Sequence, residues 1–94
     1  MLTLNSSVRP HSEVVATDLD GTEVVLLHLE SKTYYSLNAT GRQIWQGLKE
    51  GQTLKTISQR LLEKFEVEED HANQSVLTLI QDLLAHHLVQ LNEP

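Results

Sequence analysis

The stretch Thr33-Tyr34-Tyr35-Ser36-Leu37-Asn38-Ala39-Thr40-Gly41-Arg42-Gln43-Ile44-Trp45 changes character half-way along. Its first part, Thr33 to Leu37, is rich in β-branched and aromatic residues, the composition of a strand. Asn38 follows at a good N-cap position, where its side-chain oxygen can accept a hydrogen bond from a free N–H of a first helical turn. From Ala39 to Lys49 the spacing predicts a helix that buries Ile44, Trp45 and Leu48 and is stopped by Gly51. Gly41 and Gly47 each weaken that helix by up to ~1 kcal/mol relative to Ala, so packing must hold it.

Upstream the signals are those of strands. Residues 1–12 read as an extended lead-in, because Pro10 disfavours regular pairing. Glu13 to Thr17 is a short Val-rich strand, and Asp18-Leu19-Asp20-Gly21 supplies the positive φ values of a tight turn. Glu23 to Leu29 is almost continuously apolar, which predicts a strand with both faces at least partly covered. Glu30-Ser31-Lys32 turns the chain into the strand at Thr33, completing an antiparallel meander of three strands.

Downstream the signals are helical. Thr53 caps a second helix whose Leu54, Ile57, Leu61, Leu62 and Phe65 draw an apolar stripe. Glu66 to Asp70 is an acidic linker and first turn, favourable beside the free N–H groups of a helix start. The third helix is predicted over Glu69 to His87, with Ala72, Val76, Ile80, Leu83, Leu84 and His87 on one face and Leu77 and Leu79 on opposite flanks. Leu88 to Leu91 adds a short closing strand. The sum is one α+β domain over residues 1–94, a three-stranded meander followed by three helices on one face of the sheet, like a winged helix-turn-helix.

Composition narrows the function classes. Ninety-four residues suit one modest core. The absence of cysteine removes disulfides and thiolate metal sites and suits a reducing compartment. No signal peptide or membrane span is legible, so a cytoplasmic location without membrane attachment is expected. A net charge of −6, with seven scattered basic residues, disfavours nucleic acid as a partner.

The segment from Tyr34 to Trp45 resembles the PqqD-like family, with its aromatic strand, Leu37-Asn38, a small residue, Thr40, Gly41 and an Ile44-Trp45 pair. The likeness continues through Gly51-Gln52-Thr53-Leu54 and Ile57, then the Val76, Ile80, Leu83-Leu84 spacing and Leu88-Val89, and spans roughly residues 12–91. It implies a peptide chaperone, or leader-peptide recognition element. Such an element binds the leader of a ribosomally made precursor and presents it to a modifying enzyme. That enzyme is a radical S-adenosylmethionine protein in pyrroloquinoline quinone biosynthesis, and a leader protease and cyclase in lasso-peptide clusters. The Tyr34-Tyr35 strand and Ile44-Trp45 pair resemble the lasso-peptide members more than strict PqqD proteins. The resemblance also implies β-augmentation, with the leader added as a strand to the edge of the third strand beside the third helix.

Alternation sends Thr33, Tyr35 and Leu37 one way and Tyr34 and Ser36 the other. About four new backbone bonds at ~0.5–1.5 kcal/mol each cannot offset an association cost of ~4–15 kcal/mol. Two or three apolar leader side chains at ~1.5–3 kcal/mol each must therefore be buried as well. The expected peptide-binding set is Thr33, Tyr34, Tyr35 and Ser36 on the strand with Val76, Leu79 and Leu83 beside it on the third helix, Val76 and Leu83 reading as core residues that also border the groove. Asp82, one turn from Leu79, is placed to pair with a basic leader residue at the rim.

Catalytic and metal-binding patterns are absent from the sequence. His86 and His87 are adjacent on a helix and point ~100° apart, while His11, His28 and His71 fall on separate elements. His86 at a helix C-terminus is favoured there by the dipole. No local motif sets a nucleophile beside a base, so neither enzyme activity nor a cofactor is expected. Two other readings remain. One is a winged-helix nucleic-acid binder using Lys55, Arg60 and Lys64; the other is a scaffold that pairs with itself through the same sheet edge, although a monomer or weak dimer is expected.

Overall fold

The strand-rich half and the helical half meet at Asn38 in a computed structural model that describes residues 2–19, 21 and 23–92. The elements run β1 (Val8–Pro10), β2 (Val14–Asp18), β3 (Val24–His28), β4 (Tyr34–Leu37), α1 (Ala39–Lys49), α2 (Leu54–Lys64), α3 (Glu69–Ala85) and β5 (Val89–Leu91). Strands β2, β3 and β4 form the expected antiparallel meander, in that spatial order, which leaves β4 at an edge. The fold is α+β, with three helices after the meander.

Local chemistry explains the boundaries. Gly21 takes φ +84° in the β2–β3 turn and donates its N–H to Asp18 Oδ1 at 2.9 Å; Asp20, also read as a turn residue, lies outside the described residues. Asn38 Oδ1 accepts from the Gly41 N–H at 2.9 Å, and Thr53 Oγ1 from the Thr56 N–H at 3.2 Å, so both expected caps form. Arg42 on α1 reaches back to Asp18 at the end of β2, 2.8 Å away, and the guanidinium's hydrogen bond holds the Asp18 carboxyl below the usual carboxylate range.

Two sequence expectations are corrected. The lead-in is not unpaired, because β1 makes a second, two-stranded antiparallel sheet with β5. The phase of this ladder tolerates Pro10: the His11 N–H donates to Leu88 O and the Asn92 N–H to Ser7 O, both at 3.0 Å, so the bonded positions fall at alternate residues that miss Pro10. The alternation of an antiparallel ladder leaves Pro10 opposite Val89 at a position that requires no N–H. The third helix stops at Ala85 rather than His87. His87 adopts φ +59° and donates its N–H to Leu84 O, while Leu88 donates to Leu83 O. These are the paired bonds of a Schellman ending, with histidine where glycine is usual. The reversal exposes His87 and buries Leu88, so the apolar face is closed by Leu88 instead.

The core lies between the helices and the sheet face carrying Val24, Leu26 and Leu37, joined by Ile44, Leu48, Leu54, Ile57, Ile80 and Leu83. On the opposite face of β3, Val25 and Leu27 are half-buried, next to exposed Val15 and Tyr34. Gly47 has a packing role that helix propensity alone hides. A Cβ there would stand 2.6 Å from Cγ1 of buried Ile57. Gly47→Ala should therefore destabilise the fold by about 1–2 kcal/mol, because an overpacking cost of ~1–3 kcal/mol exceeds the helix-propensity gain of up to ~1 kcal/mol. Urea denaturation measures it; a stabilised variant would show that Ile57 moves aside at little cost.

Candidate functional site

The hydrogen-bond phase of β4 decides what its edge offers. The His28 N–H donates to Thr33 O at 2.9 Å, and Leu26 and Val24 stand opposite Tyr35 and Leu37. In an antiparallel ladder, bonded pairs alternate with unbonded ones. Thr33, Tyr35 and Leu37 therefore spend their backbone groups on β3, whereas those of Tyr34 and Ser36 point away from the sheet. Neither β1 nor β5 lies against this edge, since each pairs with the other.

Beside the edge runs an open groove of about 720 Å³, between β4 and α3. Its base is formed by the all but fully buried Leu37, Ile44, Leu61 and Ala72, from β4 and all three helices, and its open apolar surface by the more exposed Phe65, Val67 and Leu79. The α3 wall is different in kind. His71, Ser75, Thr78 and Asp82 repeat at four, three and four residues and line it as one polar stripe. From His71 to Asp82 at 1.5 Å per residue the wall is ~16 Å long, the span of about five residues of extended chain.

The sequence-derived candidates divide into three groups. Tyr35, Ser36, Leu79 and Asp82 line the groove together. Val76 and Leu83 are fully buried among core side chains and do not reach it. Thr33 is half-buried, with its hydroxyl 2.9 Å from that of Ser31, and Tyr34 is 70% exposed on the sheet face away from the helices. Neither lines the groove, although the outward backbone of Tyr34 belongs to the edge. Sequence reasoning missed His71, Ser75 and Thr78, and also the contributions of Ile44, Leu61 and Phe65. The stripe's spacing was readable; the α2 contribution depends on how the helices pack.

Tyr35 and Asp82 are joined across the groove. The Tyr35 hydroxyl donates to Asp82 Oδ2. Burial and that bond push the phenol up to about 12, so it remains a donor at neutral pH. His86 Nδ1 donates to the Asp82 carbonyl at 2.8 Å and lies 3.6 Å from Asp82 Oδ1. Its ring meets that of Tyr35 edge-on, 5.8 Å between centroids. Elsewhere the fold brings together two histidines that the sequence keeps apart. The rings of His11 and buried His28 are 4.8 Å apart, each with Nδ1 accepting a backbone N–H, from Glu13 and Ser31 respectively. Among the described residues no group of three His, Asp or Glu is positioned to hold a metal ion. Nor is any described helix long and apolar enough to cross a membrane.

An α+β fold whose β4 edge is unpaired among the described residues and lies beside a helix-walled groove is the class that the geometry defines. The family described as Coenzyme PQQ synthesis protein D (PqqD) matches residues 23–89, and the chain belongs to that family. Two solved structures share the fold. One is TbiB1 in complex with the TbiA(beta) leader peptide, 30% identical, with a TM-score of 0.81 over 86% of this chain and 93% of that one. The other is a lasso peptide synthetase B1 complexed with the leader peptide, 28% identical, with a TM-score of 0.81 over 88% of this chain and 96% of that one. No curated protein matches the sequence significantly.

The Tyr35–Asp82 bond has a titration signature. In a Tyr34→Phe variant the tyrosinate absorbance of Tyr35 should rise with a midpoint near pH 12. Because the folded value lies above the ordinary tyrosine value of 10.0, the stability this phenol contributes is complete below pH 10 and is lost as pH rises through about 12. A midpoint at 10 in the folded protein would mean that the phenol is neither buried nor bonded to Asp82.

Proposed function

We propose that this chain binds the leader of a ribosomally made precursor peptide as an added strand on β4 and holds it for a modifying enzyme. The observation that carries this reading is the outward backbone of Tyr34 and Ser36 directly beside a groove with an apolar floor. An incoming strand gains hydrogen bonds at the first and burial at the second, the two terms that strand addition combines. The likeness to two proteins whose solved structures hold leader peptides supports it. The role is binding rather than catalysis, and the fitting location is the cytoplasm, where precursors are made.

A second surface favours delivery to an enzyme over simple sequestration. Val15, Leu27 and Tyr34 stand in one cross-strand row on the sheet face opposite the helices, flanked by Val25 and Leu29. Solvated faces of antiparallel sheets are ordinarily polar, yet here Val15 is 45% and Tyr34 70% exposed. Three strands of about five residues make a face of only ~250 Å², well below the ~800 Å² per partner of a stable interface. A leader strand on β4 would widen that same face. The modifying enzyme, in this reading a lasso-type leader protease, would then meet protein and guest together. The nucleic-acid alternative gains nothing from the structure, as Arg60 of α2 lies 3.5 Å from Glu50.

Titration calorimetry with a panel of synthetic leader peptides, the TbiA(beta) leader among them, tests the reading. Leu79→Asp should weaken the tightest leader by at least ~2 kcal/mol, about thirtyfold, while circular dichroism stays native. Val15→Glu, on the far strand, should instead impair transfer of the bound leader to its enzyme. Leader binding that survives Leu79→Asp would rule out the groove.

A further inference from the structure

Backbone pairing at a sheet edge is indifferent to sequence, so a strand-accepting groove must read its guest through side chains. The charges lining this groove are one-sided. Glu23 and Asp82 contribute carboxylates and His71 an imidazole, and no Lys or Arg is among the lining residues. Asp82 is the more defined of the two acids. One oxygen accepts the Tyr35 hydroxyl; the other has no hydrogen-bond partner among the described residues, because His86 Nδ1 stands 3.6 Å away and donates to the Asp82 carbonyl instead. The side chain is about half exposed, so a guest group can reach it from the groove mouth.

We propose that Asp82, positioned by the Tyr35 hydroxyl, reads a Lys or Arg side chain of the guest strand at the residue that stands opposite Tyr35. The proposal rests on the leader-binding reading and adds the chemistry of one guest position. The register follows from β4 itself. Tyr35 lies between the two residues with outward backbone groups and points toward the helices. A guest residue directly opposite it projects to the same side, over the groove, where Asp82 is already tied to Tyr35. The guest residue two positions along, opposite Leu37, projects over the apolar floor. Residues between them face the outer sheet surface and never meet Asp82. The guest is therefore a strand with a cation and an apolar residue two positions apart. Tyr35 acts as a positioning residue: as a protonated donor fixed to β4, it aligns the carboxylate with the edge that sets the guest's register.

The test is a positional scan of the tightest-binding leader of the panel, each residue replaced in turn by Lys and by Glu, with affinities read by fluorescence anisotropy. At one position the Lys form should bind roughly fivefold or more tightly than the Glu form, the size expected of a half-exposed ion pair set against a like-charge contact. At the two neighbouring positions, which face the outer surface, the ratio should be much smaller. The ratio should also collapse toward unity near ~1 M salt, where the Debye length is only ~3 Å. Asp82→Asn should remove most of the positional peak, and Tyr35→Phe should reduce it.

A uniform preference for Lys at every position would reflect only the chain's net charge of −6 and overturns the proposal. So does a peak that Asp82→Asn leaves intact. A peak unchanged by Tyr35→Phe removes Tyr35 from the mechanism. The scan on the wild-type protein decides the question even where a variant fails to fold. If no leader of the panel binds at all, the leader-binding reading falls, and this proposal with it. Binding without a positional peak sinks the proposal alone.

Discussion

An unpaired strand edge is the constraint around which this molecule is arranged. Tyr34 and Ser36 turn their backbone groups away from β3, and an exposed row of such groups invites pairing with any extended chain. Among the described residues, the strands β1 and β5 could have covered this edge. They are committed to each other instead, with Pro10 at a position where no N–H is required. Pairing β1 with β5 ties these two segments together and leaves the outer edge of β4 uncovered by either of them.

The groove beside that edge draws its character from a division of labour along α3. One face of the helix, Val76, Ile80 and Leu83, is wholly buried and anchors it in the core. The adjoining stripe, His71, Ser75, Thr78 and Asp82, carries short or polar side chains and forms the groove wall. Had the apolar stripe been wider, α3 would have packed onto β4 and closed the space. The Tyr35–Asp82 bond bridges strand and helix at one end, tying them at a single point while the remainder of the groove stays open.

Much of this was legible from residue order. The Asn38 and Thr53 caps, the meander and the three helices follow from local chemistry, because capping side chains and hydrophobic periodicity act within a few residues. Pairing of residues 8–10 with 89–91 did not follow, since it depends on where the chain ends meet in space and on the ladder phase at Pro10. The end of α3 was misjudged by two residues because His87 takes the left-handed conformation usually left to glycine. In the site, Tyr35, Ser36, Leu79 and Asp82 were identifiable as strand-edge and helix-flank residues. Val76 and Leu83 fall on the central apolar face of α3 and read as core residues that also border a groove; both lie wholly inside the core, and only the packing of α3 shows that neither reaches the groove. The contribution of Leu61 on α2 and of Phe65 just after it is likewise a product of helix packing.

Amide hydrogen exchange, resolved by residue in the free and leader-saturated protein, reports on the open edge itself. The Tyr35 and Leu37 amides, directed at β3, should be protected in both states. Those of Tyr34 and Ser36 should exchange freely without the leader and become protected when it is bound. If both are already protected in the free protein, or remain unprotected at saturation, the guest does not complete this sheet.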